Sequence, residues 1–238
     1  MYPELDGFIS SLRDALQRSQ LEAEGRSAAT LEAISSLAQP PHLGELLRSL
    51  HDDQQAATGC ASQSYLHPLG FHKLLLIDAS PLFELSLHVW WPDSNPGPEH
   101  VHNHRFAFAS AVVRGGYNMR VYQFDPGGAP MHEYRERVNR QGGWQLTPVG
   151  TAHLRQMASL NLEQGSSYAL TADALHRVAV AQGRLCVTLL LRTGLTSWPP
   201  TKVFARPGQG VPARYPIRAM SSDDYRRQLE GLLSELTG

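Results

Sequence analysis

The sequence predicts a mainly β protein, a sandwich or small barrel of short strands entered through helices and followed by one more helix. Three observations predict it. Apolar residues recur at helical spacing through residues 1–58 and again near the C-terminus. From Ser62 onward the apolar period shortens towards two, the spacing of strands. Gly and Pro clusters then interrupt the chain at short intervals, as turns between strands require.

Leu5, Phe8, Ile9, Leu12 and Leu16 form the first helical stripe. Ser27–Leu37 predicts a second helix, ended by Gln39-Pro40-Pro41. His42–Ala56 predicts a third, with Leu43, Leu46, Leu47 and Leu50 on one side. These stripes read as faces packed on a core. Strands are predicted at Gly70–Asp78 and Leu82–Trp91, joined by an Ala79-Ser80-Pro81 turn. The Pro- and Gly-rich loop Pro92–Glu99 leads to a strand over His100–Val113, a Gly115-Gly116 turn and a strand over Tyr117–Phe124. Pro126-Gly127-Gly128 predicts another turn, followed by strands at Met131–Val138, Trp144–Val149, Ala152–Leu162 and Ser167–Thr171. His176–Val180 and Leu185–Arg192 form the last pair. Ser221–Leu236 predicts a helix with Ser221 or Ser222 as N-cap and acidic residues in the first turn. The organisation is a helical extension (1–61), a β-barrel (62–205) and a C-terminal segment with a helix (206–238), folding as one unit.

The 238 residues are 42% hydrophobic and 18% charged, an ordinary globular composition. A formal net charge of -1 and the lack of a basic stripe argue against nucleic acid as a partner. No stretch approaches the roughly 18 apolar residues of a membrane span. The N-terminus lacks the apolar run of a signal peptide. Cys60 and Cys186 form neither a CxxC pair nor a disulfide framework. A cytoplasmic protein, homodimer or monomer, is expected.

The stretch that carries chemistry is His100-Val101-His102-Asn103-His104, followed by Arg105-Phe106-Ala107-Phe108. Side chains two apart on a strand share a face, so alternating imidazoles converge, as metal ligation requires. Neutral imidazole suits zinc, iron, copper and nickel alike. No GxGxxG or Walker pattern offers a phosphate-binding alternative.

Here the chain resembles the cupins. Their first motif, His-x-His, three or four residues, Glu, six residues, Gly, is similar to His102-Asn103-His104, Ala109 and Gly116, with alanine in the glutamate position. Their second motif, Gly, five residues, Pro-x-Gly, two residues, His, is similar to Gly165, Thr171-Ala172-Asp173 and His176, with the Pro and second Gly replaced. The resemblance covers roughly residues 62–205. It implies a jelly-roll barrel with His102, His104 and His176 as metal ligands. Without the carboxylate, three neutral imidazoles leave the charge of a dication uncompensated, which makes it a stronger Lewis acid. Within the cupins, Phe83–His104 and His176-Arg177-Val178 resemble the three-histidine thiol dioxygenases, the cysteine dioxygenase-like proteins. Two departures stand out. That family's Ser-x-His-x-Tyr run reads Thr188–Arg192 here, and its Tyr-x-Arg reads Tyr65-Leu66-His67.

Further candidates surround this set. Arg192 either holds a substrate carboxylate or phosphate by a bidentate fork or ends its strand in solvent. Glu84, Ser86, His88 and Trp90 share one strand face, which lines a pocket or faces water. In the pocket, His88 would contact substrate or carry a proton. Tyr65, His67 and Tyr122 are weaker pocket candidates, His100 a rim residue, Phe106 and Phe108 an apolar wall, and His132 and His153 surface residues. The expected function is a mononuclear non-haem Fe(II) dioxygenase that acts with dioxygen on a small anionic metabolite. Arg192, His88 and Tyr65 are its candidate catalytic residues. Two alternatives stand beside it: a lyase, isomerase or decarboxylase using Zn, Ni or Mn without dioxygen, and a non-catalytic small-molecule-binding cupin.

Overall fold

In the computed structural model, residues 7, 9–10, 12–14, 23–94, 97, 99–138, 143–193 and 201–237 are described. Of the first predicted helix, Ile9 and Leu12 are helical and Leu12 is buried, while Leu5, Phe8 and Leu16 lie outside the described residues. The next helices are α1 (Ala23–Leu37), α2 (Pro40–Asp52) and α3 (Gln54–Ala61). Pro40 and Pro41 open α2 rather than merely ending the helix before it, because the first turn needs no N–H from them. The helix predicted over His42–Ala56 is in fact two. Asp53 is extended, and its Oδ1 accepts from the Ala56 N–H at 2.9 Å, which caps α3.

Among the described residues twelve strands follow: β1 (Tyr65–Leu66), β2 (His72–Ala79), β3 (Phe83–Trp90), β4 (Val101–His102), β5 (Ala107–Arg114), β6 (Gly116–Val138), β7 (Gly143–Glu163), β8 (Ser167–Leu170), β9 (Leu175–Val180), β10 (Cys186–Thr193), β11 (Thr201–Ala205) and β12 (Arg214–Pro216). They form two antiparallel six-stranded sheets, ordered β1-β2-β3-β10-β5-β8 and β11-β4-β9-β6-β7-β12. Most neighbours are distant in sequence, such as β3 with β10, β10 with β5, and β4 with β9. This is the Greek-key crossing of a jelly roll. A last helix, α4 (Ser222–Thr237), is capped by Ser221, whose Oγ accepts from the Asp224 N–H at 3.1 Å.

Several predicted boundaries move. The strand expected over His100–Val113 is broken at Asn103–Phe106, where the chain leaves the second sheet (β4) and enters the first (β5). Pro126-Gly127-Gly128 does not end a strand. Phe124 and Ala129 both pair with Leu154, so the residues between them loop out of a continuous β6, with Asp125 Oδ1 accepting from the Gly127 N–H at 2.7 Å. β7 likewise runs through Gly150 without interruption. The short strands β11 and β12 were not expected. Gly115 does turn the chain between β5 and β6: its φ is 72°, and an added Cβ would lie 2.2 Å from the Leu185 carbonyl oxygen.

The first sheet carries the main core on its helix side. Phe83, Leu85, Leu87 and Val89 of β3 and Val187, Leu189 and Leu191 of β10 are fully buried there with Ile34, Leu43, Leu47, Tyr225, Leu229 and Leu232. The Tyr225 hydroxyl donates to the Leu75 carbonyl at 2.6 Å and ties α4 to β2. The other face of this sheet looks towards the second sheet, and the two enclose a cavity of about 510 Å³.

Candidate metal centre

The cavity contains the three histidines selected by the motif spacing. His102 lies on β4, directly opposite His176 on β9 in the antiparallel ladder. His104 follows β4 at the crossing between sheets. Its backbone N–H donates to the Ala172 carbonyl at 3.0 Å, and the intervening Asn103 is stitched to β11 through Lys202 at 2.7 Å. One ring nitrogen from each of His102, His104 and His176 lies within 4.8 Å of the others, and the Nε2 atoms of His104 and His176 are 3.3 Å apart.

This arrangement fits a metal ion by its donors. His102 Nδ1 contacts the His100 carbonyl at 3.0 Å, and His176 Nδ1 contacts the Ala174 carbonyl at 3.0 Å. Each contact holds a proton on Nδ1 and leaves the Nε2 lone pair for a ligand. Burial pushes the pKa of all three imidazoles down, that of His176 to about 3. The rings are neutral, as ligation requires. His100 therefore contributes through its carbonyl, and its ring lines the cavity.

The carboxylate position needs correction. Ala109 points away from the histidines into the helix-side core, opposite Leu191. Strand parity instead gives the cavity position to Phe108, whose ring centroid is 4.8 Å from that of His104 and 5.8 Å from that of His176. An apolar ring, not a methyl group, stands where the motif's carboxylate would reach the metal.

Other side chains follow the same parity. Glu84, His88 and Trp90 of β3 line the cavity, as do Thr188, Leu190 and Arg192 of β10. Arg192 is held by Glu84, and its guanidinium lies 4.6 Å above the Phe106 ring. His88 packs on Phe71 with ring centroids 4.6 Å apart, and burial lowers its pKa to about 3. Its ring is therefore held in the neutral form. Tyr65 also lines the cavity, burial raising its pKa to about 12, so its hydroxyl stays protonated. His67 stacks on Phe71 with centroids 4.2 Å apart. Tyr122 is outside the cavity and packs with Leu175 and Met131 in a separate apolar cluster. His132 and His153 are exposed.

Residues that sequence reasoning missed complete the wall. Glu99 ends the loop predicted over Pro92–Glu99. Its Oε2 accepts from the Val178 N–H at 2.6 Å, its Oε1 lies 3.6 Å from His102 Nδ1, and burial raises its pKa to about 8. Lys73 Nζ lies 2.8 Å from Glu84 Oε1. The Tyr117 hydroxyl donates to that of Tyr168 at 2.8 Å, and Trp144 packs against His67 with centroids 4.7 Å apart. Glu99 precedes the His100–His104 run directly, which was the one available signal. The others depend on which strands become neighbours.

No protein-family model matches the chain, and no curated protein matches it. Solved structures that it is similar to include a DMSP lyase from Ruegeria pomeroyi, at 12% identity and a TM-score of 0.33, over 55% of this chain and 50% of the lyase. A hydroquinone 1,2-dioxygenase from a Sphingomonas species matches at 13% identity and a TM-score of 0.30, over 48% of this chain and 61% of the dioxygenase. A cupin-like protein from Thermotoga maritima matches at 13% identity and a TM-score of 0.33, over 70% of this chain and 93% of that one. The chain thus spans about half the length of the lyase. At this degree of similarity the architecture rests on the strand order of this chain, and the site on its own side chains. No described helix is long and apolar enough to cross a membrane.

Proposed function

We propose that this protein is a mononuclear metal enzyme in which His102, His104 and His176 hold Fe(II), and that it uses dioxygen to oxidise a small anionic metabolite. One observation carries the reading: three neutral imidazoles, His176 buried and His102 and His104 half-buried, converge at the wall of a cavity large enough for a small organic substrate. When bound, Fe(II) would supply open coordination positions for substrate and dioxygen and would polarise what binds there. The protein's own residues do the rest. Nδ1 contacts to carbonyls fix two of the three rings. Phe106 and Phe108 exclude water beside them. Arg192 offers a cation to the substrate. The resemblance of the motifs to three-histidine thiol dioxygenases supports dioxygen chemistry, whereas Thr188, Leu190 and Arg192 on the wall favour a substrate other than cysteine.

The test is metal analysis of freshly purified wild-type protein beside His176→Ala, together with nitric oxide binding to the anaerobic Fe(II)-loaded protein by electron paramagnetic resonance. Near-stoichiometric metal in the wild type, its loss in the variant and an Fe(II)-dependent nitric oxide signal are expected. Wild-type metal content in His176→Ala would falsify the ligand set. No nitric oxide signal would remove the dioxygen chemistry and leave a metal acting as Lewis acid alone.

A further inference from the structure

The cavity wall carries a second cluster of charged groups, apart from the histidines. Lys73 on β2, Glu84 on β3 and Arg192 on β10 are brought together by direct strand pairing: Arg192 lies opposite Glu84, and β2 pairs with β3 on its other side. Glu84 Oε1 is 2.8 Å from Lys73 Nζ, and Oε2 takes Arg192 Nη2. Lys73 and Glu84 are buried at 9% and 4% exposure, so this is an ion cluster inside the protein.

Its charge does not balance. Glu84 alone contacts both cations, and the next carboxylate, Asp78, acts on them from farther off, so below about pH 7, where Lys73 is charged, the groups in contact carry one more positive than negative charge. Elsewhere on the wall Arg105 and Glu136 offset one another, and Glu99 lies beside His102. Burying a cation without a counter-charge is costly, so the surplus favours an anion entering from the cavity. Arg192 Nε is buried and lacks a hydrogen-bond partner among the described residues, while 17% of the side chain remains accessible. The guanidinium is already oriented, held by Glu84 on one edge and by the Phe106 ring beneath it. Glu84 thus aligns both cations before any ligand arrives.

The surroundings suggest the rest of the ligand. Lys73 Nζ lies 5.6 Å over the Tyr65 ring. Tyr65 and His67 both pack on Trp144, and His67 stacks on Phe71, all of them lining the cavity. These rings make an apolar wall suited to a ring-sized body. On the other side a single phenyl ring separates the cluster from the histidines, since Phe106 lies under Arg192 and 5.2 Å from His104, centroid to centroid.

We infer that Lys73 and Arg192, aligned by Glu84, bind the carboxylate of a monoanionic organic acid whose ring-bearing body lies against the Tyr65–His67–Phe71–Trp144 wall. The inference rests on the reading of the cavity as a substrate site, but it does not need a metal.

The test is calorimetric titration of the full chain after chelator treatment, so that a carboxylate cannot bind through a metal ion. Benzoate is compared with benzamide, which has no charge, acetate, which has no body, and phthalate, which has a second charge. Benzoate is expected to bind at least tenfold more tightly than the other three, and Arg192→Gln to bring it down to the level of benzamide. Benzamide, acetate or phthalate binding as tightly as benzoate, or benzoate affinity surviving Arg192→Gln, would overturn the inference. The ligand series in the unaltered chain decides the matter even if Arg192→Gln does not fold. Metal loss in His176→Ala tests the histidine centre separately, so either reading can fail while the other stands.

Discussion

The two faces of the helix-backed sheet are made by the same strands and have opposite chemistry. On β3, Phe83, Leu85, Leu87 and Val89 enter the helix-side core, all with no exposed surface. Glu84, His88 and Trp90 alternate with them and line the cavity. β10 repeats the pattern, with Val187, Leu189 and Leu191 against Thr188, Leu190 and Arg192. Most side chains on both faces are buried, so burial alone does not distinguish them. What distinguishes them is whether the buried groups satisfy one another. The core face is closed mainly by apolar contact, and its Tyr225 hydroxyl is satisfied by the Leu75 carbonyl, whereas the cavity face holds ions and rings with bonding capacity to spare. A site of this kind is stabilised by its neighbours across the sheet rather than by its own contacts.

The comparison can be broken from either side. The largest effect is expected on the core face. Leu87→Ala removes a buried side chain from between the helices and the sheet, and should cost about 2–5 kcal/mol in urea unfolding. Metal binding by the folded fraction should remain. A loss of metal in protein that is still folded would show that the two faces are coupled.

On the cavity face, pH is the sharper probe. Lys73 faces Glu84 and the neutral His88 on β3, Arg192 on β10, Asp78 on its own strand and the Tyr65 ring on β1. Burial, followed by the Arg192 charge, pulls its pKa down to about 7 despite the Glu84 contact. In the ligand-free protein Lys73 is therefore cationic below that pH and loses its charge above it. Benzoate affinity should be flat from pH 6 to 7 and fall by about tenfold per unit above pH 7. Lys73→Met should weaken binding at pH 6 and flatten the profile. A profile in the wild type that is flat to pH 9 would contradict this assignment.

The smallest effect belongs to Ser86, which shares the cavity-facing parity of β3 but has no exposed surface. Its hydroxyl has no hydrogen-bond partner among the described residues. An unsatisfied buried hydroxyl is a liability, so Ser86→Ala should leave stability unchanged or raise it by up to about 1 kcal/mol in thermal unfolding. A clear loss of stability would mean that the hydroxyl is bonded after all.

Much of this could be read from the chain, and the limits were physical. Alternation within a strand is local, so the residues of β3 sort into two sets from sequence, although which set meets a cavity depends on what covers each face. Helix boundaries were approximate because Asp53 caps α3 in the middle of an apolar pattern that looks continuous. The candidate ligands His102, His104 and His176 follow from motif spacing. The assignment of Ala109 failed because the count crossed the irregular Asn103–Phe106 segment, where strand parity is lost. Lys73 was not foreseen at all. Its partner Glu84 is brought close only when β2 and β3 pair, and the bulge between Leu75 and Ile77 shifts that register.

Val101 carries no chemistry, yet the histidine centre depends on it. β4 is only two residues long and holds His102 opposite His176 through a single paired position. Val101 points the other way, into the cluster with Leu175 and Phe204, and is 1% exposed. A slip of one residue would exchange the two side chains, pushing an imidazole into the apolar cluster and leaving a valine facing His176. The misaligned chain would lose apolar burial and one histidine of the cluster together. A valine beside a histidine thus acts as a proofreading device, making the assembly of the site and the correct pairing of the sheet one event.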